Sequence, residues 1–405
     1  QRQQRRRCQV TAAPRLLPTH RQAAELAAAL ADRLAACGDL TRPEWRHLLL
    51  QVPRHLFVPD RAWCVPDGPG APYGIDRTRD PDQWLRAAYA DAAIVTQVND
   101  GHGDPGTGEG AWTSSLSAPG AVIAFLELLA PRDHERVLDV GTGPGWTAAL
   151  LSARLGDGRV VSIEVDEQVA EQAKVNLEAA GARPRLVVAD GAAGWAEGAP
   201  YDQVHVTCGV TTVPYAWVEQ TRPGGTIVLP WMPEYLGGYK ARLTVTGDGR
   251  AIGRLGGPAS YMMLRSQRSG GLAEPASSAI WEETTPIDPR AVAQDSCGAD
   301  IAIAGLLPDV LGADSTTGDG RFCLLLADAA ATSWARVEHR PGRREHLVYQ
   351  AGPRRLWQEV TDAYFRWVGW GRPGRDRFGL TVTPAGQYVW LDEPDRPLPG
   401  GSPAV

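Results

Sequence analysis

One ten-residue run constrains this chain more than any other: Val137-Leu138-Asp139-Val140-Gly141-Thr142-Gly143-Pro144-Gly145-Trp146. An apolar strand ends in a loop with glycine at every second position, and a helix is expected to begin near Trp146. Glycines at 141, 143 and 145 carry no Cβ and accept positive φ, so backbone and ligand can approach closely. The continuation narrows the ligand. A second apolar strand over 159–163 ends at Glu164, nineteen residues after Gly145, where a carboxylate accepts both hydroxyls of a ribose. A third strand, 185–189, ends in Asp190-Gly191, a place for a carboxylate near an adenine edge. The loop is G-x-G-x-G, shorter than the G-x-G-x-x-G of pyrophosphate binders, and no phosphate-loop lysine follows. The expected ligand is therefore a nucleoside without phosphates, and S-adenosyl-L-methionine fits.

The length of 405 residues allows two domains, and 43% apolar with 22% charged residues is ordinary for a globular chain. A net charge of −6 speaks against nucleic acid as partner. The six cysteines are scattered without a C-x-x-C pair, so free thiols in a reducing compartment are expected, with neither disulfides nor a metal site. No run approaches the roughly 20 apolar residues of a membrane span. Residues 1–20 are basic at the start but lack the apolar core of a signal peptide. They read as a disordered or artificially added tail, and the expected location is cytoplasmic.

Residues 21–37 read as an alanine-rich amphipathic helix capped by Thr19 and ended by Gly38, and 43–51 as a second helix. An N-terminal helical and lid region is expected over 21–112. Within it, Asn99–Gly110 (NDGHGDPGTGEG) reads as a mobile loop. From Pro119 strands and helices alternate, and the strands are apolar runs, which predicts a doubly wound, mostly parallel α/β sheet buried on both faces. That nucleoside-binding domain is placed at 113–265, a linker at 266–290, and a smaller α+β accessory domain at 291–405. The last contains an aromatic-rich helix (355–370) and a hairpin of 379–383 with 387–391.

Several segments resemble protein L-isoaspartate O-methyltransferases: Val52-Pro-Arg-His-Leu-Phe-Val-Pro59, Ser115-Leu-Ser-Ala-Pro119, the glycine loop, Asp190-Gly191, Ala199-Pro-Tyr-Asp202 and Arg222-Pro-Gly-Gly225. The resemblance covers about residues 45–235 and implies a class I methyltransferase of Rossmann-like fold. The extension resembles a subgroup encoded beside ATP-grasp ligases that cross-link ribosomal peptides (graspetides). Its matching pieces are Trp217-Val-Glu-Gln-Thr-Arg-Pro-Gly-Gly225, Arg354-Arg-Leu-Trp357, Arg375-Asp-Arg-Phe-Gly-Leu-Thr-Val-Thr-Pro384 and Val389-Trp-Leu-Asp392. In that group a peptide aspartate is esterified and the ester closes to an aspartimide. The implied partner is thus a modified precursor peptide, or an isoaspartyl protein if the repair role holds. A non-catalytic peptide-holding module is a third reading.

A carboxylate acceptor, with pKa near ~4, is already ionised at neutral pH and needs no general base. This accords with the lack of a Ser/His/Asp or Cys/His constellation. The resemblance puts Ser117 at the acceptor, with Ser115 and Thr113 nearby; Ser117 also reads as an N-cap for the helix at Pro119. Expected cofactor ligands are Asp139, Gly141, Thr142, Gly143, Gly145, Glu164, Asp190 and Gly191. Asp139 is open between holding the glycine loop and reaching the methionine end, which the resemblance favours. His205 reads as a core residue. Two departures from the repair pattern border the acceptor: Asn99–Gly110, in place of a "GYGQ"-like segment, and Cys208–Pro214.

Overall fold

The computed structural model describes residues 20–272 and 280–400. The expected tail (His20 apart), Thr19 and part of the expected linker fall outside them. Two helices, α1 (His20–Cys37) and α2 (Pro43–Gln51), open the chain. Gly38 closes α1 at φ +84°, as the sequence predicts. Next come β1 (Arg61–Pro66), β2 (Tyr73–Asp76), α3 (Pro81–Ala88), β3 (Ala92–Val98) and β4 (Trp112–Leu116). These strands form an antiparallel sheet in the order β2-β1-β3-β4. The expectation of a helical region here is corrected: Gly, Pro and Asp between short apolar runs mark hairpin turns.

The alternating part follows: α4 (Pro119–Leu129), β5 (Val137–Val140), α5 (Trp146–Leu155), β6 (Val160–Glu164), α6 (Glu167–Ala179), β7 (Arg185–Val188), β8 (Tyr201–Val206), α7 (Tyr215–Glu219), β9 (Thr221–Trp231), β10 (Tyr239–Val245) and β11 (Ala251–Pro258). Beyond it lie β12 (Trp281–Thr285), α8 (Pro289–Gln294), α9 (Cys297–Leu306), β13 (Val310–Thr316), β14 (Phe322–Asp328), β15 (Trp334–His339), β16 (His346–Ala351), α10 (Leu356–Gly369), β17 (Phe378–Thr383) and β18 (Gly386–Leu391).

A nine-stranded sheet dominates, in the order β18-β17-β11-β10-β9-β8-β5-β6-β7. Strands β9, β8, β5, β6 and β7 run parallel; the rest pair antiparallel. The order turns back at β5, where β6 lies on one side and β8 on the other, and a ligand crevice is expected outside the carboxyl ends at such a point. One face of the sheet packs on α4, α5 and the N-terminal region through residues such as Val137 and Val228. The other packs on α7, α9, α10 and the remaining strands through Leu138, Val140 and Val206.

The C-terminal part is not a detached unit. A five-stranded antiparallel sheet (β12-β16-β15-β14-β13) forms there, but β17 pairs directly with β11, Ala251 opposite Val382. One continuous apolar core runs from Leu138 to Leu398. Trp357 and Trp367 lie within it, each 2% exposed. Pairing of β17 with β11, rather than linker composition, decides where the chain goes.

The loop 99–110 is pinned. Asn99 donates its backbone N–H to the Ala111 carbonyl at 2.7 Å and accepts the Ala111 N–H at Oδ1 (2.8 Å). Asp104 meets Arg61 at 2.7 Å, and Asp100 meets Arg268 at 3.0 Å and Arg265 at 3.2 Å. Composition alone signalled mobility; these paired charges override it. No helix among the described residues is long and apolar enough to cross a membrane.

Candidate active site

A cavity of about 490 Å³ opens at the carboxyl ends of β5 and β6, within the range of small-molecule sites. Its floor is the glycine loop. Gly141 (φ +93°) lies so close to β8 that a Cβ there would stand 2.5 Å from Thr207 Oγ1, and a Cβ on Gly191 would stand 2.6 Å from Val140 Cγ1. Gly143 (φ +53°) faces the Ser115 carbonyl at 3.3 Å by the same measure. The loop is tied down from below, since Asn176 of α6 donates to the Pro144 carbonyl at 3.0 Å.

Glu164 stands at the wall, 8% exposed. Its Oε2 accepts the Gly143 N–H at 2.8 Å, and Oε1 accepts those of Val165 and Asp166 at 3.0 and 3.1 Å. Burial pushes its carboxyl above the usual range, and the Gly143 and Asp166 N–H groups pull it partly back. Three donors occupy a carboxylate that has about four acceptor sites, so one remains for a hydroxyl. Cavity, glycine floor and buried carboxylate together fit S-adenosylmethionine.

Ser115, Ser117, Gly141, Thr142, Gly143, Glu164 and Gly191 all border the cavity. Three expected ligands do not, and each has a physical reason. Asp139 points to the α4 side of the sheet, fully buried, accepting from Ser162 Oγ (2.7 Å) and paired with His205 Nδ1 (2.9 Å). Alternation along β5 sends Val137 and Asp139 to one face, Leu138 and Val140 to the other. Asp139 does not hold the glycine loop through backbone amides; its partners are His205 and Ser162, whose hydroxyl in turn bonds Thr142 Oγ1 at 2.7 Å. Gly145 (φ +101°) serves packing, as a Cβ there would lie 3.1 Å from Leu177 of α6. Asp190 is exposed and folds back on the Ala192 N–H at 2.9 Å.

The acceptor side is framed by β4 and by the segment 260–268. The N-cap of α4 is Ala118, without a side-chain bond, so Ser117 is not spent on capping. Its side chain lies beside the phenol of Tyr261, whose own pKa burial pushes up strongly. Behind it Arg54, 1% exposed, donates to the carbonyls of Ala88 (2.7 Å), Ala92 (2.8 Å) and Ser117 (3.0 Å). Burial lowers the pKa of this guanidinium to about 10, leaving it charged at neutral pH. Cys208 also lines the cavity. Burial, and then the negative charges of Glu164, Asp139 and Asp190, push its thiol far up, which keeps it from competing as a thiolate nucleophile.

At the rim, Arg265 joins Asp166 (3.1 Å) to Asp100 of the pinned loop (3.2 Å). The segment after Cys208 is held from the far end of the chain. Gln387 of β18 accepts the Val213 N–H at 2.8 Å and donates to the Thr211 carbonyl at 2.7 Å.

Residues 74–261 match the family described as Protein-L-isoaspartate(D-aspartate) O-methyltransferase. A protein-L-isoaspartate O-methyltransferase of Archaeoglobus fulgidus is 32% identical over 203 residues, half of this chain and 76% of its own. The chain belongs to the protein-L-isoaspartate O-methyltransferase family. A relative in Pyrococcus horikoshii is 41% identical over 200 residues, 49% of this chain and 74% of that one. A solved protein-L-isoaspartate O-methyltransferase superposes with a TM-score of 0.52 at 20% identity, covering 91% of this chain and all of that one. The likeness in fold to that solved structure therefore extends past the family match into the C-terminal part. Family membership makes the chain an S-adenosylmethionine-dependent carboxyl methyltransferase.

Four contributors escaped the sequence reading. Arg54 and Asn176 act through backbone carbonyls that no motif displays. Tyr261 and Arg265 come from a segment reached only through β11. The Arg54 signal was present, an arginine between prolines in an apolar stretch.

Proposed function

We propose that this enzyme esterifies an aspartate-derived carboxylate of a peptide, and specifically a side-chain aspartate of a ribosomally made, cross-linked precursor. S-adenosylmethionine, bound on the glycine floor with its ribose at Glu164, supplies an activated methyl group. The acceptor carboxylate oxygen takes that methyl as the carbon–sulfur bond breaks. Ser117 donates to the carboxylate without neutralising it, and Arg54 fixes the Ser117 backbone. Alignment and the replacement of water by fixed donors carry the rate. The methyl ester then closes when the following backbone nitrogen attacks its carbonyl, the methoxide leaving with the amide proton as methanol, which gives an aspartimide.

The observation that carries this reading is the clamp of Gln387 on Thr211 and Val213. It ties the C-terminal hairpin to the segment that follows Cys208 of the cavity wall, which supports a part for the extension in shaping a substrate rim. The motif resemblance of that extension supports the peptide class. Repair of isoaspartyl proteins is the second reading, favoured by the family match and by a solved relative that spans the extension too.

Mass spectrometry separates the two. The enzyme is incubated with S-adenosylmethionine and either an isoaspartyl peptide or a cross-linked precursor. Methyl gain on the precursor alone, followed by methanol loss, is the expected result; methylation of the isoaspartyl peptide alone returns the enzyme to repair.

A further inference from the structure

Far from the cavity, at one end of the five-stranded sheet, two buried histidines meet. His339 ends β15 and His346 begins β16, 7% and 5% exposed. In the ladder His346 pairs with Thr285 and His339 with Phe322, so both lie on one level of the sheet. Their Nδ1 atoms are 3.3 Å apart. Asp288, just before α8, brings Oδ1 within 4.0 Å of His339 Nδ1. The three donor atoms all lie within 4.8 Å of one another.

We propose that Asp288, His339 and His346 bind a divalent transition metal of the zinc class. A tetrahedral ion with metal–nitrogen bonds of about 2.0–2.1 Å has nitrogens about 3.4 Å apart, which is the spacing of the two Nδ1 atoms. Closing the carboxylate side takes a shift of about 0.7 Å toward His339 and of up to about 1.5 Å toward His346. Two imidazoles and one carboxylate suit zinc, cobalt or nickel better than calcium or magnesium. The carboxylate is already oriented, because the Arg290 backbone N–H donates to Oδ1 at 2.9 Å and Arg290 Nη2 to Oδ2 at 2.7 Å. With Nε the third donor, about one lone-pair site is left. Asp288 is partly exposed, which gives an entry path and a fourth position for water. The ion would staple the β15–β16 hairpin to the start of α8, a role separate from methyl transfer.

The sequence alone gave no such signal: His339 and His346 belong to different strands, and Asp288 lies 51 positions before His339. Folding brings them together.

The test uses the whole chain, dialysed against a chelator and then titrated with Zn2+ and Co2+. Saturable binding of one equivalent, with the visible bands of tetrahedral cobalt and a raised Tm, is expected. His339→Ala and His346→Ala should each weaken binding at least tenfold. Asp288→Asn keeps a side chain equally suited to cap α8 but removes the charge, and should weaken binding while the metal-free Tm holds. Absence of saturable binding at 100-fold excess metal overturns the proposal, as does unchanged affinity in the histidine variants or in Asp288→Asn.

Discussion

Glu164→Gln tests the cofactor site most directly. In the native protein the carboxylate accepts three backbone N–H groups, at 2.8, 3.0 and 3.1 Å. An amide has one acceptor oxygen. Whichever way it turns, its NH2 faces either the Gly143 N–H or the pair from Val165 and Asp166, so at least one charged hydrogen bond is replaced by a donor–donor contact. Hydrogen bonds to charged groups contribute about 1.5–3 kcal/mol each. Relief from burying a carboxylate, which already holds its pKa above the usual range, offsets part of that for the fold. It does not restore the one acceptor site left for a ribose hydroxyl. We therefore expect Kd for S-adenosylmethionine to rise about 10- to 100-fold, the equivalent of about 1.4–2.7 kcal/mol, while Tm falls modestly. Isothermal titration with S-adenosylmethionine and S-adenosylhomocysteine reads this directly. Affinity within twofold of the native value, with the fold intact, would remove Glu164 from the site. The same carboxyl predicts a pH effect: cofactor affinity should fall on acidification at a pH above that of an ordinary glutamate, as the acceptor is protonated.

Ser117→Ala should lower kcat about 10- to 100-fold, the scale of one hydrogen bond to a charged acceptor, and leave cofactor affinity in place; native turnover would refute its acceptor role. Arg54→Met orphans three carbonyls at about 1–3 kcal/mol each, so a loss of about 3 kcal/mol or more is expected in denaturant unfolding, and a loss under 1 kcal/mol would refute the account. Asp300 of α9 receives the Tyr239 hydroxyl of β10 at 2.5 Å, and burial raises its pKa to about 6. A raised carboxyl contributes stability below its unfolded value near 4 and loses it as pH rises through about 6. Native protein should therefore lose up to about 3 kcal/mol relative to Asp300→Asn between pH 4 and 7; parallel Tm curves would contradict this. Gln387→Ala should raise KM for the peptide and spare cofactor affinity, and an unchanged KM would separate the hairpin from the substrate rim.

The parallel sheet and the glycine floor were legible because buried parallel strands read as apolar runs and a Cβ-free turn is written in glycine. Glu164 could be placed because a carboxylate closing an apolar strand needs a reason. Asp139 and Gly145 show the limit of that logic. Both sit in the right motif, but strand alternation turns one to the far face and helix packing claims the other. The antiparallel N-terminal sheet was hidden by short strands, and the pinning of the loop in part by Asp100, whose partners Arg265 and Arg268 lie more than 160 residues away. Joining of the C-terminal hairpin to β11 could not be read from composition either, because β11 carries glycines at 253, 256 and 257 and scarcely announces a strand.

That pairing orders the birth of the enzyme. Ala251 meets Val382 across 131 positions, so on the ribosome β11 waits as an open edge until residues 378–391 emerge. Closing so long a loop adds little free energy, since each doubling costs about 0.6 kcal/mol, but non-local pairing is slow. Until it forms, Thr211 and Val213 lack Gln387, and the waiting edge can recruit another chain. Cutting the chain near residue 270 would freeze that state rather than isolate a working domain. The segment after Cys208 is thus among the last parts of the protein to become native, and a half-made chain can complete its glycine floor before that segment is held in place.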